Sequence, residues 1–321
     1  MKQCLERFLF WVECSRAYAL PMTLMSWLVI FCCGIKNNGD VFNGILALIG
    51  IIFAHLATNL IDDYLDYKIL SKDEKYINTA QKCKCIHIFE GRVTLSEIFK
   101  MIVMYCLIAS VIGLILLFKV GTGVIWLGLC GALVTLLYQK CSLAGLSEVM
   151  VFTAYGPLMF EGVYYVMTGN FSFSVFLLSL TVVMFTLGFL YVHTLLDFEG
   201  DMTSHKKTLC CRIGKREKAL KLLWVFYLTG YIAAAIFAFI VKNPFILITF
   251  VTIPLAFTTY RETARFEKNN IPIVKWWNLP FENQAVYKKE GSFAFYFTLF
   301  QARNLMMYFC ILLCIALILK M

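Results

Sequence analysis

The feature that most constrains this chain is a series of apolar runs, each about 20 residues long. A helix of that length spans the hydrocarbon core of a bilayer, whereas membrane strands would alternate apolar and polar residues over about ten positions. Hydrophobic residues make up 60% of the 321 residues and charged residues only 15%, unlike an ordinary soluble domain. We therefore predict one all-α, polytopic membrane bundle of about nine transmembrane helices over residues 1–321, with runs near residues 17–34, 41–61, 98–118, 120–138, 145–167, 173–195, 219–241, 243–259 and 298–319.

The basic residues are distributed unevenly between the two sets of loops that join these runs. The formal net charge is +9, and with the amino terminus inside, twenty-two Lys and Arg residues fall in inner segments and four in outer segments. An excess of Lys and Arg marks the cytoplasmic loops of membrane proteins. We expect a multi-pass protein of the cell membrane. Because the basic residues are dispersed over many loops, nucleic acid is not an expected partner.

Acidic side chains cluster at the end of the second run, in HLATNLIDDYLDY at residues 55–67. At about 100° per residue on a helix, Asn59, Asp62, Asp63 and Asp66 project within an arc of roughly 100°. Four oxygen-bearing side chains on one face bind a cation or repel one another. The charge distribution places them at the cytoplasmic ends of the helices, where we expect the active site.

A second acidic pair ends the sixth run, in YVHTLLDFEGDMTSHKKTLCCRIG at residues 191–214. Asp197 and Asp201 are about one helical turn apart and share a face. Such a pair alone is a weak signal, since it occurs by chance in many helices. Two acidic clusters, each at the inner end of an even-numbered run, form a stronger pattern.

Basic residues follow both acidic clusters: Lys68 and Lys72 after the first, and Lys206, Lys207 and Arg212 after the second. Phosphate oxygens bind both basic side chains and Mg²⁺. Cations beside carboxylates therefore suit an anionic ligand bridged by a metal ion.

The fifth run contains two further acids, Glu148 and Glu161, and a Gly156-Pro157 pair that should loosen its helix. Acids inside a membrane segment usually face a cavity or a partner. Glu148, near the inner end, either lines a pocket or stays at the interface. Glu161 lies deeper and needs a polar partner that the sequence does not name.

These motifs resemble those of the UbiA superfamily of intramembrane prenyltransferases. The resemblance rests on N59-LID-D63-YL-D66, on Asp197 and Asp201 with the trailing KKTLCCRIG, and on the order of the nine runs. It covers nearly the whole chain. The chain departs from the superfamily pattern at Leu70, where many members have a further aspartate.

One branch of the superfamily is most similar, the 1,4-dihydroxy-2-naphthoate polyprenyltransferases of menaquinone synthesis. Its fifth span resembles GLSEVMVFTAYGPLMFEGVYYVMTG, and its amino-terminal R-P-x-x-L segment resembles SRAYALPMTLM. Here Ala17 stands in place of the usual proline after Arg16, and Asp62 in place of the usual asparagine.

The resemblance implies a Mg²⁺-dependent transferase of alkyl groups, with polyprenyl diphosphate and a small aromatic acceptor as substrates in the lipid bilayer. It implies that the catalytic, metal-binding residues are Asp63, Asp66, Asp197 and Asp201. The residues expected to bind the diphosphate are Asn59, Lys68, Lys72, Lys206, Lys207 and Arg212. Those expected to bind the acceptor are Arg16, Asp62 and Glu148.

Two alternatives stay open on the sequence alone. The same fold could act on another acceptor, such as 4-hydroxybenzoate or a haem or chlorophyll precursor. The chain could also be a cation-coupled transporter, but transporter acids are expected near the membrane midplane on broken helices. Acids at helix ends, next to basic loops, favour an anionic head group instead.

Overall fold

The computed structural model of the chain describes residues 2–72, 85–203, 207–266 and 293–319. All regular structure within these ranges is helical. The α-helices are α1 (Lys2–Cys14), α2 (Leu20–Lys36), α3 (Val41–Leu70), α4 (Ile86–Phe89), α5 (Leu95–Val120), α6 (Gly123–Leu143), α7 (Ser147–Thr153), α8 (Met159–Thr168), α9 (Phe173–Leu196), α10 (Phe198–Thr203), α11 (Leu209–Ile213), α12 (Arg216–Ile240), α13 (Ile253–Ala264) and α14 (Phe293–Ile318). Two 3-10 segments (Ala17–Ala19 and Pro244–Thr252) precede α2 and α13, and a π-helical turn (Ala154–Leu158) joins α7 to α8.

Eight helical segments in the described residues are long and apolar enough to cross a membrane, which confirms the predicted all-α membrane bundle. They coincide with eight of the predicted runs. The fifth run differs because the π turn breaks it into α7 and α8. Gly156 leaves the helical region at φ −96° and ψ −113°, and Pro157 has no N–H to continue the helical hydrogen bonds. In the described residues, the predicted spans, about nine in number, correspond to eight candidate membrane-crossing segments and one helix that the π turn breaks.

Helix α3 is longer than its apolar run predicted. It begins at an Asp40 cap, whose carboxylate accepts a hydrogen bond from the Asn43 N–H at 2.9 Å. It continues to Leu70, past the predicted end near residue 61. The hydropathy pattern ends where the aspartates begin, but neighbouring helices bury these aspartates and the helix continues. The first acidic cluster therefore lies on a helix, on one face as predicted.

Contacts between helix ends fix the directions of the helices that carry the two acidic clusters. The Lys36 Nζ lies 3.5 Å from the Leu317 carbonyl oxygen, so α2 and α14 end together. The His193 and Phe295 rings lie 5.8 Å apart, so the end of α9 meets the start of α14. Arg16, just before α2, pairs with the end of α3. The ends of α3 and α9 consequently lie at one end of the bundle, which we call the acidic end.

Two apolar clusters hold the bundle together. The larger surrounds α9, where the Phe185 ring stacks on Phe309 of α14 at 3.9 Å between centroids. The smaller lies at the acidic end, where Leu60 of α3 packs with Ile88 of α4 and with Phe10 of α1. The smaller cluster packs α1 and α4 against the end of α3, beside the first acidic cluster.

Candidate functional site

The three aspartates of the first cluster are buried at the acidic end. Asp62, Asp63 and Asp66 each expose 8% or less of their surface. Buried carboxylates are rare unless they are paired or bind a metal. This burial makes the end of α3 the strongest candidate site in the described chain.

Arg16 is the cation that faces this cluster. Its Nη1 lies 3.4 Å from the Asp62 Oδ2, and its Nη2 pairs with the Asp63 Oδ1. Burial alone lowers the pKa of Arg16, but the carboxylates of Asp63 and Asp62 outweigh this effect and raise the pKa above its ordinary value. Arg16 therefore stays charged and offsets part of the negative charge of the cluster.

The backbone around Arg16 is held in an unusual conformation. Arg16 has a φ of +54°, in the left-handed region that residues other than glycine rarely adopt. The Asn59 side-chain amide donates a hydrogen bond to the preceding Ser15 carbonyl at 2.9 Å. Asn59 thus fixes the turn that directs Arg16 toward the aspartates, a contact that the sequence did not reveal.

Two further residues that sequence reasoning missed contact the aspartates. The Cys85 thiol donates to the Asp63 carbonyl oxygen at 3.2 Å and lies 3.9 Å from the Asp63 Oδ1. The Gln139 amide donates to the Asp66 Oδ1 at 3.4 Å. Cys85 is buried beside α4 and has a φ of +55°. No sequence pattern predicted either contact, because both residues are distant from the aspartates in the sequence.

The second acidic pair keeps the spacing of one helical turn, although α9 ends at Leu196, just before Asp197, and α10 begins at Phe198. The Asp201 N–H donates to the Asp197 carbonyl oxygen at 2.8 Å, as in a continuous helix. Asp201 is buried, whereas the Asp197 side chain is partly exposed and its Oδ2 lies 3.6 Å from the His193 Nδ1. The structure places both clusters at the acidic end; that they share a ligand stays a prediction.

The basic residues near the clusters are exposed. The Lys68 ammonium lies over the Tyr64 ring at 4.3 Å, and Lys72 follows the end of α3. Lys207 and Arg212 are exposed in the segment after the second pair, whereas Lys206 lies outside the described residues. Exposed cations at this end are available to an anionic ligand.

Gly145 lets this basic segment pack against the start of α7. Its φ is +68°, and a Cβ at this position would meet the Lys207 carbonyl oxygen and, at 2.7 Å, the Arg212 Nε. Only a residue without a side chain fits this close approach. The contact brings Lys207 and Arg212 to the part of the chain that carries Glu148.

Glu148 is buried close to Cys210, which follows the second acidic cluster in the chain. It exposes 7% of its surface, which does not fit an interface residue that extends into water. Its Oε2 accepts from the Ser147 hydroxyl at 2.9 Å, while its Oε1 has no hydrogen-bond partner within the described residues. Burial raises the pKa of the nearby Cys210 thiol to about 11, and the Glu148 carboxylate adds to that rise. That Glu148 lines a substrate pocket stays a prediction.

Glu161 has a structural role at the other end of the bundle. Its Oε2 accepts a hydrogen bond from the Ser172 N–H at 3.1 Å, at the start of α9. A carboxylate at a helix amino terminus satisfies an N–H that has no partner inside the helix. Glu161 is thus explained without a ligand.

Comparison with known proteins decides the family. The UbiA prenyltransferase family profile matches residues 19–279, most of the chain. The chain belongs to the UbiA prenyltransferase family. No curated protein sequence matches it.

Solved structures support the fold of this UbiA-family member. A digeranylgeranylglyceryl phosphate synthase structure is 16% identical, covers 98% of this chain and 100% of its own, and has a TM-score of 0.60. A UbiA homologue from Archaeoglobus fulgidus bound to GPP and Mg²⁺ is 14% identical over 92% of this chain and 99% of its own, at a TM-score of 0.61. The same homologue bound to DMAPP and Mg²⁺ is 13% identical, covers 92% of this chain and 98% of its own, and has a TM-score of 0.57. At these identities the likeness establishes the fold.

A buried polar network next to the first cluster also escaped the sequence analysis of this UbiA-family chain. The His55 Nδ1 lies 2.6 Å from the Thr23 hydroxyl oxygen and 2.9 Å from the Tyr155 hydroxyl oxygen. His55 precedes Asn59 by about one helical turn on α3. The network joins α2, α3 and the π turn, so it aligns three helices around the interior next to the aspartates.

Proposed function

We propose that this UbiA-family member is a membrane prenyltransferase that moves a polyprenyl group from its diphosphate to a small aromatic acceptor. We propose 1,4-dihydroxy-2-naphthoate, in menaquinone synthesis, as that acceptor. The observation that carries the proposal is the position of two acidic motifs, from distant parts of the sequence, at one end of the bundle. The Archaeoglobus fulgidus homologue structures, which contain GPP or DMAPP with Mg²⁺, support the substrate class.

The donor set of the acidic end fits Mg²⁺. Asp63, Asp66 and Asp201 offer buried carboxylate oxygens, the ligands that Mg²⁺ prefers. No three His, Cys, Asp or Glu side chains among the described residues converge on one metal position. Mg²⁺ is commonly held by one or two carboxylates together with substrate phosphates. We propose that Asp63, Asp66, Asp197 and Asp201 hold Mg²⁺, which when bound would neutralise the diphosphate and improve it as a leaving group.

The basic residues at the acidic end would bind the diphosphate. Charge-assisted hydrogen bonds to phosphate oxygens are stronger than neutral ones. We assign this role to the exposed cations Lys68, Lys72, Lys207 and Arg212, to the Asn59 amide, and to Lys206, which lies outside the described residues. Asn59 acts chiefly by positioning the turn before Arg16.

Arg16, Asp62 and Glu148 would bind and orient the acceptor. Arg16 is the charged group beside the aspartates, so it suits the carboxylate of an aromatic acid. Asp62 holds its guanidinium in place. Glu148 has a carboxylate oxygen without a hydrogen-bond partner in the described chain, which suits a hydroxyl of the acceptor. The bond from the allylic carbon to the diphosphate breaks, the acceptor ring attacks the resulting allylic cation, and the attacked ring carbon then loses its proton or, where it bears the carboxylate, CO₂.

The apolar bundle would protect the reaction from water. An allylic cation is captured by any water that reaches it, so the site must exclude water while the acceptor ring attacks. Most of the surface of the bundle interior is apolar, and the tail of a polyprenyl group suits such surroundings. Positioning and electrostatics would supply most of the rate.

A radiolabelled prenyl-transfer assay with the purified protein tests this function. The panel should contain 1,4-dihydroxy-2-naphthoate, 4-hydroxybenzoate and porphyrin acceptors, each with diphosphates of several chain lengths. We expect a labelled lipid product with the naphthoate, only when Mg²⁺ is present. Transfer to another acceptor alone would correct the acceptor and keep the class; cation uptake into proteoliposomes without any transfer would replace the class with a transporter.

A further inference from the structure

A groove of about 340 Å³ lies along one face of α13. Its lining residues are Phe257, Thr258, Tyr260, Arg261, Ala264 and Arg265. The Phe266 ring, just after α13, lies 6.2 Å from the Phe295 ring at the start of α14. The groove therefore opens at the acidic end of the bundle, and none of the residues assigned to the reaction lines it.

The groove changes from apolar to cationic along one helix face. Phe257, Arg261 and Arg265 are four residues apart, so they lie in one row that is about 12 Å long. Phe257 exposes 61% of its surface on the side of the bundle that lipid would cover, and Arg261 and Arg265 are exposed as well. This arrangement matches an amphiphile with an anionic head and an apolar tail.

Arg261 is not needed to satisfy the end of α13. Basic side chains near a helix carboxyl terminus commonly bond to its last carbonyls. Here Arg216 of α12 does so, donating from Nη2 to the Thr263 carbonyl at 2.7 Å and from Nη1 to the Ala264 carbonyl at 3.4 Å. In the described chain Arg261 makes one polar contact, from Nε to the Glu262 carboxylate at 3.6 Å, and its two Nη groups make no hydrogen bond.

An aromatic ring of α12 packs against the aromatic residues that line the groove. The Trp224 ring of α12 lies 4.6 Å from the Phe257 ring and 5.1 Å from the Tyr260 ring. Tryptophan and tyrosine are enriched at the depth of the lipid head groups, and basic pockets between helices at this depth bind anionic head groups. We propose that this groove binds one anionic phospholipid, with its phosphate at Arg261 and Arg265 and an acyl chain along Phe257.

Lipid titration of the full-length protein in detergent tests the proposal. Phosphatidylglycerol and phosphatidylcholine with identical acyl chains are compared by native mass spectrometry and by the midpoint of thermal unfolding. We expect phosphatidylglycerol to bind at least tenfold more tightly and to raise the midpoint. The double variant Arg261→Gln/Arg265→Gln should lose this preference. The matched control Arg92→Gln/Lys100→Gln removes the same charge from exposed positions elsewhere and should keep it.

A second variant keeps the test decisive if the double variant does not fold. Thr258→Glu adds a carboxylate to the groove at a partly exposed position and leaves both arginines in place. It should also reduce phosphatidylglycerol binding at least tenfold. Equal binding of the two lipids by the unchanged protein, or full binding by Thr258→Glu, would overturn the proposal. Inorganic phosphate alone stabilising as strongly as phosphatidylglycerol would overturn it too, since the acyl chain would then contribute nothing.

Discussion

Arg16 shows how much one side chain can depend on distant residues. The family resemblance implied that Arg16 binds the aromatic acceptor, but it did not predict that Arg16 pairs with Asp62 and Asp63. Nor did it predict the left-handed backbone or the Asn59 contact that fixes it. These features arise from packing between α2 and α3, so no local pattern could reveal them.

Replacing Arg16 should weaken binding of the acceptor more than binding of the prenyl diphosphate. Arg16→Ala removes the cation proposed to bind the acceptor carboxylate, so we expect the KM for the acceptor to rise about tenfold or more, the effect of about 1.4 kcal/mol. Arg16→Lys keeps the charge but loses the planar fork of guanidinium donors. Its KM for the acceptor should therefore lie between those of the unchanged protein and Arg16→Ala. Steady-state kinetics with each substrate varied in turn measures both constants.

Arg7→Ala is the matched control, since Arg7 is an exposed arginine of α1 with no role assigned in the reaction. It should leave both KM values unchanged. The assignment of Arg16 is wrong if Arg16→Ala raises the KM for the prenyl diphosphate and leaves that for the acceptor unchanged.

Whole helices were easier to predict than their ends and breaks. Apolar runs of about 20 residues located the membrane-crossing segments because hydrocarbon requires a continuous apolar helix. Hydropathy could not show that α3 continues to Leu70, because its last turns are polar but buried. The Gly156-Pro157 pair did indicate the break in the fifth run, through the N–H that proline lacks.

Gly145→Ala should displace the basic segment that packs on α7 and reduce transfer. The new Cβ would collide with the Lys207 carbonyl and the Arg212 side chain, and alanine is also strained at a φ of +68°. We expect a loss of transfer of about tenfold or more with the bundle still folded. Transfer rates and circular dichroism of the purified variants measure both effects.

Two glycine variants separate these causes. Gly169 has a φ of +76°, and a Cβ added there would have no neighbour within 4 Å. Gly169→Ala therefore tests the backbone strain alone. Gly131→Ala, within α6 and also without a neighbour within 4 Å, tests neither cause. Both should keep full activity, and an equal loss in Gly169→Ala and Gly145→Ala would contradict the packing explanation.

Glu161→Ala should destabilise the bundle without a specific effect on the reaction. It removes the acceptor of the Ser172 N–H at the start of α9, a hydrogen bond worth about 1 kcal/mol. Glu161→Gln keeps an acceptor oxygen and should be milder. Thermal unfolding in detergent compares the two variants, and a large fall in activity with unchanged stability would show that Glu161 acts in the reaction instead.

At the scale of the molecule, the alternation of spans predicted that the two acidic clusters share one end, and the contacts of α2, α9 and α14 agree. The sequence could not predict which side chains meet in the interior between the two clusters. The network of His55, Thr23 and Tyr155 forms from three separate segments, and its members look like ordinary core residues.

The orientation in the membrane gives a further prediction. Protease sites introduced at Lys82 and Lys207 should be cut only from the cytoplasmic side, because twenty-two of the basic residues belong to that set of segments. Lys82 lies outside the described residues, whereas Lys207 lies within them and is exposed. Sites at the exposed Asn38 and Asn170, at the opposite end, should be cut only from the other side. Cleavage at Lys207 from outside would reverse the orientation.

The central claim is that the two acidic clusters form one catalytic centre. Replacing Asp63 or Asp197 by Asn removes one carboxylate proposed to hold Mg²⁺. A bound metal ion contributes several kcal/mol to stabilising the leaving group. A loss of about 3 kcal/mol corresponds to roughly a hundredfold in rate. Folding should persist, since the change also relieves repulsion between neighbouring carboxylates. Residues that act as one unit show non-additive effects.

The most direct measurement is Mg²⁺-dependent prenyl transfer by the unchanged protein, Asp63→Asn, Asp197→Asn and the double variant, each checked for folding by thermal unfolding. We expect each single variant to lose at least about a hundredfold in rate and the double variant to lose little more than either. A double variant whose loss equals the product of two modest single losses, or a single variant that keeps full activity, would contradict a shared centre.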